Sequence, residues 1–116
     1  MTEERLKILL DNEVITQKVF DTGNEIYIKY FKEEDYNIDK VNVFMTHFAM
    51  ALKRIEDGNA IEKLDEEIFG QVKNSDVYKD ALKFSNNIVE DLYLDIPESE
   101  EEYFILHLGN ILMGRG

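Results

Sequence analysis

The chain has 116 residues, of which 44% are apolar and one is proline, so it is predicted to form one ordered domain over residues 1–116. Its 25 acidic and 13 basic residues give a formal net charge of −12, which argues against direct binding to nucleic acid or to an anionic membrane surface. The lack of cysteine excludes a disulfide framework, a thiolate nucleophile and sulfur ligands for a metal. No apolar run reaches the roughly 18 residues of a membrane span and no signal-peptide pattern is present, so we expect a cytoplasmic protein.

Apolar residues at helical spacing dominate the first half of the chain. After a short N-terminal stripe, Thr16 is the predicted N-cap of a helix that continues through Gly23 and ends at the charged residues 32–35. We interpret Asp39 as the N-cap of the next helix, which stops at Gly58 because glycine is favoured just after a helix end. Two full helices are therefore predicted before residue 58.

The second half repeats this pattern. Asp65 is the predicted cap of a short helix, and Ser75 is the predicted cap of a longer helix that Pro97 closes. Ser99 and Glu102 have the spacing of a capping box at the start of a last helix. About five principal helices and no convincing strand predict an all-α fold, a compact helical bundle.

One nine-residue motif occurs twice. Residues 44–52 and 104–112 both fit Phe-x-x-His-(Phe/Leu)-(Ala/Gly)-x-x-Leu, and they contain the two histidines of the chain, His47 and His107. On a helix with about 100° per residue, each histidine lies roughly 60° to the same side of an apolar stripe, at the border between core and solvent. Antiparallel packing of two such helices about a pseudo-twofold axis would place both imidazoles in one groove. We predict that these two similar helices pack together.

The residues around the histidines leave alternatives open. A histidine beside an apolar stripe is often a partly buried residue that is hydrogen-bonded to a neighbour. Arg54, seven residues after His47 and on the same flank, suits an anion such as phosphate, or it is an exposed arginine favoured by the helix dipole. The acidic residues 100–102 suit a positive helix N-terminus, or they form a docking patch for a basic partner.

Three segments, taken in order and spacing, resemble the PTS regulation domain (PRD). They are residues 46–54 around the first histidine, residues 58–61 with the sequence Gly-Asn-Ala-Ile, and residues 97–108, which run from Pro-Glu-Ser-Glu to Leu-His-Leu. The resemblance extends from about residue 4 to residue 113 and identifies the chain as similar to a single, stand-alone PRD.

The resemblance implies both a fold and a function. Members of the family are small helical bundles whose histidines accept phosphoryl groups from the sugar phosphotransferase system, which assigns His47 and His107 as phosphoacceptors. The phosphocarrier HPr or a sugar-permease component is the implied donor. One position departs from the family's pattern, because Thr46 stands where many antiterminator members carry an acid. The resemblance also implies a homodimer, in which exposed residues such as Val43 and Met50 help to cover the partner.

We therefore predict a regulatory module without enzymatic activity, cofactor or metal. It responds to phosphorylation on histidine and acts in trans on a separate regulator or enzyme of carbohydrate utilisation, for example in transcription regulation, with Arg54 as the candidate phosphate contact. One alternative is a constitutive dimerisation or interaction protein whose histidines are structural. Another is a metal-dependent enzyme that uses both histidines and nearby carboxylates as ligands.

Overall fold

The computed structural model describes residues 2–59, 61–62 and 64–113, and within these ranges the chain is helical with no strand. There are six helices in the described part: α1 (Thr2–Asp11), α2 (Gln17–Tyr30), α3 (Ile38–Glu56), α4 (Glu66–Lys73), α5 (Tyr78–Glu90) and α6 (Glu98–Met113). The predicted all-α bundle is confirmed, with the short N-terminal stripe forming a helix of its own. None of the described helices is both long and apolar enough to cross a membrane.

Helix α3 lies at the centre of the bundle, where it packs against α1, α2 and α6. The apolar stripes of the two repeated motifs face each other, as predicted. Phe44 and Phe48 of α3 lie 6.1 and 5.2 Å, between ring centroids, from Phe104 of α6, and all three side chains are buried. Aromatic side chains bury large apolar areas, so this cluster holds the two histidine helices together.

Several predicted helix boundaries are confirmed. The Thr16 hydroxyl accepts a hydrogen bond from a backbone amide at the start of α2 at 3.2 Å, and Asp65 caps α4 with a bond of 2.8 Å. Gly58 follows α3 with a φ of 76°, which glycine adopts without steric cost. Helix α2 continues through the buried Gly23, where a Cβ would lie 3.3 Å from Leu6 Cδ1, so glycine permits the close approach of α1.

The predicted caps of α3 and α5 are wrong. Asn37 caps α3 by accepting a bond from the Lys40 amide at 3.1 Å, and Asp39 lies in the first turn. Asparagine and aspartate suit a cap about equally, so residue type alone does not distinguish positions two residues apart. The Ser75 hydroxyl instead donates to the Val72 carbonyl at 2.6 Å, at the end of α4. Helix α5 begins after Val77 without a side-chain cap.

The predicted transition from α5 to α6 is also wrong in detail. Helix α5 ends at Glu90, several residues before Pro97, so the proline does not close it. Pro97 instead lies immediately before the first residue of α6, and its carbonyl accepts a bond of 3.1 Å from the Glu100 amide. A proline suits this place because the first amides of a helix need no intrahelical acceptor. Ser99 therefore lies inside the first turn, and the capping box with Glu102 is not formed.

Candidate functional site

Helices α3 and α6 pack antiparallel, so that moving towards the C-terminus of one means moving towards the N-terminus of the other. Three contacts fix the register between them: His47 with His107, Arg54 with Glu100, and Lys40 with Asn110. The two repeated motifs thus meet at their histidines, and the prediction that the histidine helices pack together is confirmed.

The two imidazoles lie side by side in the groove between α3 and α6. Their ring centroids are 4.9 Å apart and the ring planes are inclined by 56°. His47 is exposed, whereas His107 is partly buried. Burial, and then the neighbouring His47, lower the pKa of His107 from 6.5 to about 4, so its ring is neutral at pH 7. Among the described residues, no hydrogen bond to the His107 ring contributes to this shift.

A cavity of about 280 Å³ opens next to the imidazole pair. His47, His107, Arg54 and Glu100 contribute its polar groups. Most of the remaining wall is apolar or aromatic: Phe44, Phe48, Met50, Ala51, Ile61, Tyr103 and Phe104. The histidines are therefore held by packing on one side and remain reachable from solvent on the other.

Arg54 belongs to this site through an ion pair that the sequence did not reveal. Its Nε and Nη2 donate to the two carboxylate oxygens of Glu100, at 3.1 and 3.0 Å, and the Ile61 amide donates to the same carboxylate at 3.1 Å. The Glu100 side chain is fully buried and that of Arg54 is 34% exposed. Arg54 lies in the last turn of α3, as the helix-dipole interpretation expected, but its side chain is only partly exposed. Glu100 is buried and is not part of an exposed docking patch. The use of Arg54 as a phosphate contact stays a prediction.

Sequence reasoning missed both Glu100 and Lys40. Glu100 lies seven residues before His107, and Lys40 lies seven residues before His47. Because seven residues make nearly two helical turns, each of these residues lies on the same flank of its helix as a histidine. This spacing could have identified them from the sequence. Lys40 Nζ donates to the Asn110 carbonyl at 3.1 Å, in the last turn of α6, where the helix dipole favours a cation.

No metal centre is evident in the part of the chain that the structure describes. There, no group of three or more histidine, aspartate and glutamate side chains is arranged to hold a metal ion. The metal-dependent alternative gains no support from these residues.

Comparison with known proteins identifies the family. The family model of the PRD domain matches residues 24–111. The chain belongs to the PRD domain family. Over 69 residues it is 29% identical to a protein of Escherichia coli (strain K12) described as uncharacterized protein YhfY. That alignment covers 60% of this chain and 58% of the relative, so it spans little more than half of each protein. No solved structure matches the chain.

The matched region of the PRD domain includes the whole histidine site. His47, His107, Arg54, Glu100 and Lys40 all lie between residues 24 and 111. The resemblance predicted from the sequence is confirmed, and the PRD domain is related to regulation by the phosphotransferase system.

Proposed function

We propose that this PRD domain is a phosphorylation-responsive regulatory module of the sugar phosphotransferase system, with His47 and His107 as phosphoacceptors. HPr or a sugar-permease component serves as the donor. The observation that carries the proposal is the imidazole pair, with centroids 4.9 Å apart in a groove that is reachable from solvent. Membership of the PRD family supports the same conclusion.

The chemistry requires a neutral imidazole nitrogen with access to the donor. This nitrogen attacks the phosphorus, a new N–P bond forms, and the bond between phosphorus and the donor breaks with its electron pair leaving on the donor. A protonated ring has no lone pair for the attack. The lowered pKa of His107, about 4, keeps that ring in the reactive form at pH 7. His47 is exposed, which gives a donor protein direct access to it.

The regulatory part of the proposal concerns the surface beside the histidines. Val43 and Met50 are 45% and 38% exposed on α3, on the flank that carries His47. We place the homodimer contact on this flank, since exposed apolar residues are favoured in such contacts. Each phosphoryl group adds about −1.5 to −2 charges, and these change the association electrostatically. The phosphorylated protein then acts on a separate regulator or enzyme of carbohydrate utilisation, in the cytoplasm and without a cofactor.

Reconstitution tests the phosphotransfer. The protein is incubated with phosphoenolpyruvate, Enzyme I and HPr, and its intact mass is measured at alkaline pH, where phosphohistidine survives. We expect added phosphate on wild type, on His47→Ala and on His107→Ala, and none on the double variant. An unmodified wild type in a tube where a known acceptor is labelled would contradict HPr as the donor, and the same result with a sugar-permease component would contradict the proposal.

Sedimentation tests the regulation. The association of the phosphorylated and unphosphorylated proteins should differ, and high salt should reduce the difference because it screens the charges. The double alanine variant, treated identically, should show no change. Equal association of all forms at low salt would leave phosphotransfer without this regulatory consequence.

A further inference from the structure

We propose that Lys40 binds the phosphoryl group carried by His107, an inference that rests on the proposed phosphorylation of that histidine. Lys40 and His107 border the same cavity, of about 210 Å³, together with Val43, Asn110 and Asp39. This cavity is separate from the one that contains Arg54 and Glu100, although His107 borders both. His107 therefore has a different cation on each side.

The Lys40 ammonium is held at the last turn of α6, beside the cavity that His107 also borders. It donates a hydrogen bond of 3.1 Å to the carbonyl of Asn110, and Asn110 is three residues after His107, one turn further along α6. An ammonium has three N–H groups, and the described bond uses one of them. The other two can donate to phosphoryl oxygens that enter the cavity shared with His107.

Arg54 is the less suitable of the two cations. Its Nε and Nη2 are bonded to a carboxylate, that of Glu100, which is fully buried. The ion pair with this carboxylate offsets the positive charge of Arg54, so the N–H groups that remain on its guanidinium attract a second anion less strongly than those of a cation without such a partner. Lys40 is exposed, and its ammonium is bonded to a neutral carbonyl. It can therefore turn towards an anion without leaving a buried charge unpaired.

Asp39 allows the electrostatic effect on His107 phosphorylation to be tested in the opposite direction. It borders the same cavity as Lys40, and its carboxylate repels a phosphoryl group there. Removing this negative charge should therefore favour the phosphorylated form of His107, opposite to the effect of removing the charge of Lys40.

The experiment uses the small phosphoryl donor phosphoramidate, so that the measured rate does not depend on the docking of a donor protein. The His107 nitrogen attacks phosphorus, the N–P bond to His107 forms, and the P–N bond of phosphoramidate breaks with release of ammonia. A His47→Gln background leaves His107 as the single histidine. Phosphorylation and subsequent hydrolysis are followed by phosphorus NMR at alkaline pH.

We expect Lys40→Gln to slow the phosphorylation of His107 about tenfold, the scale of a hydrogen bond to a charged group. Lys40→Arg should retain most of the rate and Asp39→Asn should raise it. Lys7→Gln is the matched control, because it removes the same charge from an exposed ion pair with Asp11 on α1 and should leave the rate unchanged. In a His107→Gln background, Lys40→Gln should leave phosphorylation of His47 within about twofold of its starting rate.

The outcomes separate this inference from the proposed function. Unchanged phosphorylation of His107 in Lys40→Gln overturns the role of Lys40 and leaves phosphotransfer intact. An equal slowing at His47 and His107 also overturns it, since that is the result of a general structural change. Failure of both histidines to accept phosphate from HPr and from a sugar-permease component contradicts the proposed function itself.

Discussion

Glu100 in α6 is fully buried and accepts two hydrogen bonds from the guanidinium of Arg54 in α3, nearly two helical turns from the facing histidines. The same carboxylate accepts a bond from the Ile61 amide, so it joins both helices to the segment between α3 and α4. Because a buried carboxylate depends on these donors, the pair fixes how α3 and α6 align beside the imidazoles.

Removing Arg54 alone should destabilise the protein more than removing both partners. Arg54→Ala leaves the buried Glu100 carboxylate without its cation and should lower the free energy of unfolding by about 3 kcal/mol. The double variant Arg54→Met, Glu100→Met replaces the pair with apolar side chains and should lose much less. Urea unfolding of the three proteins measures the difference. Equal destabilisation of the single and double variants would show that the buried charge is not the cause.

Stability should depend on pH through His107. The folded-state pKa is about 4 and the ordinary value is 6.5, so between these values the unfolded chain binds a proton that the folded chain does not. Stability that is fully present above pH 6.5 is therefore lost as the pH falls towards 4. Between pH 7 and pH 4.5, wild type should lose about 2 kcal/mol more than His107→Gln. Urea unfolding at a series of pH values measures the free energy of unfolding of both proteins. The titration of carboxylates affects both equally and cancels in the difference. Parallel pH profiles would exclude the lowered pKa.

The two histidines should not both be phosphorylated readily. The ring centroids are 4.9 Å apart, so phosphoryl groups of about −2 charge on both rings would lie close together. At a separation of ~6 Å, Coulomb's law gives a repulsion of about 3 kcal/mol even in a medium as polar as water. We expect intact-mass spectra of partly modified protein to show far less doubly modified species than independent sites would produce. High salt should raise that fraction, since ions screen the repulsion. A statistical distribution at low salt would contradict the close pairing of the rings.

Gly109 should be required for the contact between α4 and α6. A Cβ at this position would lie 2.6 Å from Cγ2 of the buried Val72, a side chain with little rotational freedom. Gly109→Ala should cost about 2 kcal/mol of stability, and Val72→Ala in the same chain should recover part of it. Gly70→Ala in α4 is the control, because nothing lies within 4 Å of its Cβ, and it should stabilise the helix by about 0.5–1 kcal/mol. Thermal unfolding measures all four proteins. Equal losses at both glycines would contradict the steric explanation.

The sequence by itself determined the helical class and the pairing of His47 with His107. Helical periodicity is a local property, and one motif found twice places both histidines on equivalent flanks. The sequence did not determine every helix end. Asp39 and Asn37 suit a cap nearly equally, and in the structure Asn37 caps α3.

Only the tertiary structure decided which groups surround the imidazoles. Arg54 meets Glu100, 46 positions away, and Lys40 reaches the last turn of α6, 70 positions away. These contacts form only when α3 and α6 pack antiparallel in one particular register. The periodicity of apolar residues along one helix cannot predict this register. It identifies which face of the helix is buried, but not which residue of the other helix lies opposite.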